Sequence, residues 1–145
     1  MDYIPRSLQV LLVEDNEGDV RLIKEAFSES KIDKTFSVAR DGEEALNYLY
    51  ARGKYADRTK PDIILLDINL PKKNGFEILE SIKNDPVLKK IPVIMLSSSR
   101  SEEHVTKSYV LNANCYVTKP VDFDEYTQAV KIIEDFWFQM AKLPG

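Results

Sequence analysis

Five short apolar segments recur along the chain, and each is followed by polar or charged residues. Because they are rich in β-branched residues and nearly continuous in hydrophobicity, they predict strands that are buried on both faces, at 9–13, 36–39, 62–67, 92–96 and 115–118. Between them, apolar positions recur at helical spacing and predict helices at about 16–30, 43–50, 75–84, 105–111 and 123–140. The polar segment 51–61 is predicted to be a loop or a frayed helix end.

Strands that alternate with helices predict the α/β class. Right-handed crossovers then give a doubly wound, five-stranded parallel sheet with helices on both faces. In such sheets the ligand site lies outside the carboxyl ends of the strands, near the point where the strand order reverses. The residues that directly follow the strands are therefore the first candidates for function.

Polar side chains stand at the ends of four of the five predicted strands. The first strand leads to Glu14 and Asp15, the third to Asp67, the fourth to Ser97, and the fifth to Lys119, which precedes Pro120. If the sheet forms as predicted, three acids, a hydroxyl and a lysine meet in one crevice. Carboxylates placed close together raise each other's pKa, so a cation is expected among them. Magnesium suits a site made of carboxylate oxygens, and the lysine supplies a second, movable positive charge.

Each of these residues alone also has a purely structural interpretation. Glu14 and Asp15 would favour a helix N-terminus, and Asp67 before Asn-Leu-Pro would suit a turn. Lys119 would suit a solvated surface. Ser97 would suit a helix cap, as would its neighbours Ser98, Ser99 and Ser101. The functional interpretation therefore depends on the joint pattern, in which every candidate follows a strand of the same sheet.

Composition narrows the function classes. The chain has 145 residues, which suits one domain, and a net charge of −4 argues against broad nucleic-acid binding. No apolar run approaches the roughly 18 residues of a membrane span, and the N-terminus lacks the pattern of a signal peptide. The single Cys115 suits a reducing cytoplasm and is expected to be a small buried strand residue. The single His104 is expected on a helix surface, because it excludes a multi-histidine metal site and argues against a Ser-His-Asp triad.

Four motifs occur in order, and each runs from a predicted strand into the residues after it: "LLVEDN", "IILLDINLPKKNG", "PVIMLSSS" and "CYVTKP". Together they resemble the receiver domain of two-component response regulators, over about residues 8–140. The resemblance implies the flavodoxin-like, CheY-like version of the predicted fold. We expect a single receiver domain over 1–145, with its core at about 8–140 and no output domain.

The resemblance also implies a chemistry for the acidic residues. Asp67 matches the phosphoacceptor, which takes a phosphoryl group from the phosphohistidine of a kinase. Glu14 and Asp15 match the acidic pair that holds Mg²⁺ together with Asp67, and Asn69 matches the position whose backbone carbonyl is a further ligand. Lys119 matches the lysine that pairs with Asp67 and then with the phosphoryl oxygens.

A second set of positions matches the parts of the family that move on activation. Ser97 resembles the switch hydroxyl, although threonine is commoner there, and Tyr116 resembles the switch aromatic. Ser98 lies where a backbone N–H can reach the phosphoryl group. These positions predict that the loop after the fourth strand has two states.

The segment "NYLYARGKYADRTKPDIILLDINLPKKNG", with "NCYVTKP", resembles stand-alone receivers that are associated with bacterial phytochromes. This implies a sensor histidine kinase of phytochrome type, or a phosphotransfer protein, as partner. The last helix adds a second expectation, because its apolar positions fill an arc of about 180° where about 100° suffices. The excess at Ile132, Phe136 and Leu143 predicts a homodimer through this helix.

The expected function is thus that of a cytoplasmic response regulator in a phosphorelay, which catalyses only its own phosphorylation and dephosphorylation. One alternative is a receiver scaffold that binds partners without phosphorylation. Another is a Mg²⁺-dependent hydrolase with an aspartyl nucleophile. The amide of Asn69 argues against the hydrolase, because such enzymes place a second acid two residues after the nucleophile.

Overall fold

The computed structural model describes residues 7–30 and 32–140, with side chains described up to residue 137. The strands are β1 (Leu8–Val13), β2 (Lys34–Ala39), β3 (Ile63–Leu66), β4 (Val93–Ser97) and β5 (Cys115–Thr118). The α-helices are α1 (Glu17–Ser28), α2 (Gly42–Leu49), α3 (Gly75–Asn84), α4 (Glu102–Val110) and α5 (Phe123–Ile133). The predicted fold class is confirmed, since all neighbouring strands pair in parallel, in the order β2-β1-β3-β4-β5.

The strand order reverses at β1, which pairs with β2 on one side and with β3 on the other. The register brings the strand ends level, since Val13 is paired with both Ala39 and Leu66. At the far side of the sheet, Ser97 is paired with Thr118. The residues that follow β1, β3 and β5 therefore emerge at one edge, where a parallel sheet places its ligand site.

The sheet buries a separate hydrophobic cluster on each face. Leu11, Val13, Ile64 and Leu66 face the cluster that includes residues of α2 and α3. Val10, Leu12, Ile63 and Leu65 face the cluster that includes residues of α1 and α5. Because successive side chains point to opposite faces of a strand, burial on both faces explains why these strands read as continuous apolar runs.

The segment 51–61 is more ordered than the predicted loop. It contains a 3₁₀ turn at Gly53–Tyr55, and Tyr55 Oη donates a hydrogen bond to Glu44 Oε1 at 2.6 Å. Arg58 donates from Nε to the carbonyl of Tyr48 at 2.8 Å and from Nη2 to that of Leu49 at 2.6 Å. A basic side chain thus satisfies the last carbonyls of α2, and the segment is folded against that helix.

The predicted last helix over 123–140 is present, but it is not α-helical throughout. The α-helix ends at Ile133, and the backbone continues as a π-helix over Glu134–Met140. A change from i→i+4 to i→i+5 hydrogen bonding leaves little trace in a short apolar pattern. Ile132 and Phe136 are 69% and 52% exposed, which fits the predicted excess of apolar surface, whereas Leu143 lies outside the described residues.

Two smaller expectations also need correction. Helix α4 begins at Glu102 rather than near 105, because Ser101 accepts a hydrogen bond from the backbone N–H of His104 and caps it. Cys115 is only half-buried, since β5 is an edge strand. No helix among residues 7–30 and 32–140 is long and apolar enough to cross a membrane.

Candidate functional site

Three carboxylates converge at the carboxyl edge of the sheet. Glu14 follows β1 and Asp67 follows β3, and both are buried, with 1% and 6% of their surface exposed. Asp15 is exposed beside them, and the three residues offer carboxylate oxygens that all lie within 4.8 Å of one another. The structure thus brings together the three acids that the sequence predicts to meet.

The backbone fixes two of these acids tightly. The N–H groups of Glu14 and Asp67 donate to the carbonyls of Ala39 and Val13, which extends the strand pairing by one residue. Asp67 Oδ1 then accepts a hydrogen bond from the N–H of Ile68 at 2.8 Å. One oxygen of Asp67 is held in this way, and the other, Oδ2, faces the lysine described next.

Lys119 is the cation of the site. Its Nζ donates hydrogen bonds to Glu14 Oε1, to Asp19 Oδ2 at 2.9 Å and to Asp67 Oδ2 at 3.3 Å. Only 8% of the lysine side chain is exposed, and its backbone N–H donates to the carbonyl of Ser97 at 2.7 Å. The predicted pairing of Lys119 with Asp67 is therefore present, but the ammonium is shared among three acids.

Burial and charge shift the pKa values of this group. Burial raises the pKa of Glu14, and the nearby Asp67 raises it further, although Lys119 partly opposes both effects. Burial alone would lower the pKa of Lys119, but its hydrogen bonds to Glu14 and Asp19 and the charge of Asp67 outweigh that effect and raise it. The lysine is thus held as a cation among the acids.

Asp19 is a site residue that sequence reasoning missed. It lies in the first turn of α1, where an acid is expected simply to favour the helix N-terminus. Asp15 lies before the N-cap Asn16, outside the helix, so the spacing of Asp19 from the acidic pair carries no helical-face signal. The contact of Asp19 with Lys119 spans 100 residues of chain and needs the assembled fold.

Asn69 lies in the exposed loop two residues after Asp67. The loop returns to α3 at Gly75, whose N–H donates to the carbonyl of Ile68 at 2.8 Å. A Cβ atom at Gly75 would overlap the carbonyl oxygen of Asp67 and the Cα of Ile68. Glycine is required here because α3 begins in direct contact with the backbone that carries Asp67.

The predicted switch residues lie on the other side of the crevice. Ser97 is the last residue of β4 and is fully buried, and its Oγ accepts a hydrogen bond from the N–H of Ser99 at 3.2 Å. Ser98 is exposed between them. Tyr116 on β5 is half-buried, and its Oη donates to the carbonyl of Ser99 at 2.7 Å. The loop after β4 is thus held by hydrogen bonds between uncharged groups.

His104 is not the plain surface residue that was expected. It is partly buried in α4, and its Nδ1 lies 2.8 Å from Ser99 Oγ. Its ring also meets Phe76 of α3 edge to face, with 5.6 Å between the ring centroids. The histidine therefore ties the loop after β4 to two helices, a contact that neither its residue type nor its spacing reveals.

A five-stranded parallel sheet of this order, with paired acids after β1, an aspartate after β3 and a lysine after β5, defines the receiver class. The family described as the response regulator receiver domain matches residues 10–131. The chain belongs to this family.

Several characterised relatives are similar along nearly their whole length. The chain is 44% identical to the response regulator Rcp1 of Synechocystis over 136 residues, which cover 94% of this chain and 92% of Rcp1. The crystal structure of the phosphorylated cyanobacterial phytochrome response regulator RcpA is 48% identical and superposes with a TM-score of 0.93, covering 97% of this chain and 100% of RcpA. The bacteriophytochrome response regulator AtBRR is 40% identical, with a TM-score of 0.76, covering 95% of this chain and 100% of AtBRR. The predicted resemblance to phytochrome-associated response regulators is confirmed.

Proposed function

We propose that this receiver accepts a phosphoryl group on Asp67 from a histidine kinase and, in response, changes its contacts with other proteins. The observation that carries the proposal is the setting of the Asp67 carboxylate. One oxygen is fixed by the N–H of Ile68, and the other lies 3.3 Å from a buried ammonium. A carboxylate that is oriented and partly neutralised in this way suits phosphoryl transfer, which needs positioning and charge compensation more than covalent chemistry.

The transfer itself balances simply. An oxygen of Asp67 forms a bond to phosphorus while the P–N bond of the phosphohistidine breaks, and the electron pair of that bond returns to the imidazole nitrogen. The product is an acyl phosphate that adds nearly two negative charges beside Lys119. We propose that the ammonium of Lys119 then contacts the phosphoryl oxygens, and that the chain catalyses no reaction beyond its own phosphorylation and dephosphorylation.

The acidic group also fits a divalent metal ion. Glu14, Asp15 and Asp67 offer oxygen atoms within 4.8 Å of one another, which is the donor set that magnesium prefers. We propose that they hold Mg²⁺ together with the backbone carbonyl of Asn69. A bound magnesium ion would supply charge neutralisation to the incoming phosphoryl group. The relative Rcp1 has been crystallised in a Mn²⁺-bound form, which supports a divalent site.

The switch is proposed to lie in the loop after β4. Ser97 Oγ and the N–H of Ser98 would bind the phosphoryl oxygens, and Tyr116 would follow the loop through its bond to the carbonyl of Ser99. The present contacts of this loop, from the Ser99 N–H to Ser97 Oγ and from Tyr116 Oη to the Ser99 carbonyl, are neutral hydrogen bonds, each worth about 1 kcal/mol net. Two strong negative charges at Asp67 are enough to rearrange such contacts.

The relatives suggest the partners. Because several solved neighbours are named as phytochrome response regulators, we propose a cytoplasmic sensor histidine kinase of phytochrome type, or a phosphotransfer protein, as phosphoryl donor. The exposed Ile132 and Phe136 support a homodimer through the last helix. A sedimentation profile of a monomer, both with and without beryllofluoride, would contradict the homodimer.

Labelling by acetyl phosphate tests the phosphoacceptor. The wild-type protein is expected to become phosphorylated in a magnesium-dependent manner, and Asp67→Asn is expected to abolish the label. Asp57→Asn is a matched control, because it makes the same chemical change at an exposed position in segment 51–61. Full labelling of Asp67→Asn would refute the assignment, whereas equal affinity for a partner in both phosphorylation states would favour a constitutive scaffold.

A further inference from the structure

Asp19 has no part in the function proposed above, yet it makes a close contact with Lys119. The distance from Lys119 Nζ to Asp19 Oδ2 is 2.9 Å, shorter than the 3.3 Å to Asp67 Oδ2. The ammonium therefore lies closer to Asp19 than to the proposed phosphoacceptor. An ion pair in this position bears directly on how Lys119 can respond to phosphorylation.

The hydrogen-bonding capacity of Lys119 is fully used in the unphosphorylated protein. An ammonium group has three N–H donors, and here they meet three carboxylates, on Glu14, Asp19 and Asp67. Phosphorylation converts the Asp67 carboxylate to an acyl phosphate and so frees one donor. A second phosphoryl oxygen can gain a donor from Lys119 only if Glu14 or Asp19 loses one. Phosphorylation of Asp67 must be accompanied by an exchange of partners at the lysine.

Burial decides which acid is released. The side chain of Glu14 is 1% exposed and that of Asp19 is 27% exposed. A buried carboxylate that loses an ion-pair partner bears a large desolvation cost, whereas water can replace the ammonium at a partly exposed one. Asp19 is thus the partner that Lys119 can leave at the lowest cost.

A second contact connects Asp19 to α5, which packs beside α1 on the same face of the sheet. The hydroxyl of Tyr126, a buried residue of α5, donates to Asp19 Oδ1 at 3.4 Å. When Lys119 leaves, Tyr126 is the donor that remains for Asp19. The exchange at the lysine is therefore transmitted to α5, which carries the exposed Ile132 and continues into the π-helix with the exposed Phe136.

We propose that Asp19 is a positioning residue that holds the ammonium of Lys119 back from Asp67 and releases it to the phosphoryl group. This inference rests on the proposed function, because it assumes that Asp67 is phosphorylated. Asp19 competes with the phosphoryl group for the same cation. Removal of its charge strengthens the attraction between Lys119 and the phosphoryl oxygens, both during transfer and afterwards.

The test compares Asp19→Asn with the wild-type protein at saturating magnesium. Asp19→Asn is expected to raise the rate constant of phosphorylation by acetyl phosphate roughly fivefold and to tighten beryllofluoride binding by a similar factor, as expected for a partly exposed charge pair. Glu17→Gln is the matched control, because it removes a charge from the same turn of α1 at an exposed residue that pairs with Arg40. This control is expected to leave both values unchanged.

A double-mutant cycle separates positioning of Lys119 from a general effect of charge. In a Lys119→Met background, Asp19→Asn is expected to give no acceleration, since the cation it competes for is gone. Equal acceleration in both backgrounds would overturn the inference, as would a rate that is unchanged or lower in Asp19→Asn alone. If either result occurs while wild-type Asp67 is labelled, the proposed phosphorylation still holds and only the role of Asp19 fails. If wild-type Asp67 carries no label, both proposals fail.

Discussion

The two sides of the crevice are built from different interactions. On the side of β1 and β3, Glu14, Asp19 and Asp67 surround one buried ammonium, and the contacts are ion pairs. On the side of β4, Ser97, Ser99 and Tyr116 are joined by hydrogen bonds between uncharged groups. Both sides lie at the same edge of one sheet, so the difference comes from side-chain chemistry rather than from the backbone.

This difference suggests that the charged side holds the phosphorylation site in a fixed geometry, whereas the neutral side rearranges in response. Breaking a buried ion pair costs about 3–5 kcal/mol, whereas a neutral hydrogen bond contributes about 1 kcal/mol. The charged side therefore keeps its geometry until a new charge arrives, and the neutral side can change at low cost. Within the charged side, Asp19 is the most exposed acid that binds Lys119. Its ion pair is therefore the contact of that side that breaks at the lowest cost.

Lys119→Met is expected to have the largest effect. Removal of the ammonium leaves Glu14 and Asp67 buried without a cation, so the free energy of unfolding should fall by about 3 kcal/mol. Phosphorylation by acetyl phosphate should slow strongly, to a residual rate that can still be measured. Urea unfolding measures the first effect, and Lys107→Met is the control, because that exposed lysine only covers the ring of Phe76 at 4.6 Å. Equal losses in the two variants would remove the distinction between the two sides.

The charged side should also respond to alkaline pH, through Tyr126. Burial, followed by the charge of Asp19, raises the pKa of Tyr126 to about 12 from 10.0. A raised pKa favours the neutral phenol in the folded protein. Its contribution to the free energy of unfolding is therefore complete below pH 10 and is lost as the pH rises through about 12. At pH 11 the free energy of unfolding of the wild-type protein should therefore have fallen by about 1 kcal/mol more than that of Tyr126→Phe.

Unfolding of both proteins in urea at pH 8 and pH 11 measures this difference. A constant difference in the free energy of unfolding between the wild type and Tyr126→Phe at both pH values would contradict the predicted shift.

Tyr116→Phe is expected to have the smallest effect. It removes one neutral hydrogen bond to the carbonyl of Ser99, so the free energy of unfolding should fall by about 1 kcal/mol or less. The rate of phosphorylation should stay within about a factor of two of the wild-type rate. Partner binding should depend less on phosphorylation, as measured by titration with and without beryllofluoride. A loss of phosphorylation comparable to that in Lys119→Met would contradict the division between the sides.

Most of the fold could be predicted because burial on both faces leaves a strong signal. The four residues Ile63–Leu66 of β3 are completely buried, so that strand reads as an uninterrupted apolar run that ends at Asp67. Parallel pairing then places the strand ends at one edge, and the meeting of Glu14, Asp15, Asp67 and Lys119 follows from topology alone.

The rest depends on contacts that the sequence does not encode locally. Asp19 reaches Lys119 only because the fold brings the first turn of α1 and the end of β5 to the same edge of the sheet. His104 meets Ser99 and Phe76 through the position of α4, and no periodic pattern reports such a contact. The π-helix after Ile133 escaped prediction because its apolar residues continue the pattern of α5.

The central claim is that Asp67 carries the phosphoryl group, and borohydride trapping tests it most directly. Borohydride reduces an acyl phosphate on aspartate to homoserine, which peptide mass spectrometry locates in the chain. After treatment with acetyl phosphate and magnesium, homoserine is expected at position 67 and nowhere else. Homoserine at position 15, or its absence from position 67 in a protein that carries phosphate, would contradict the account.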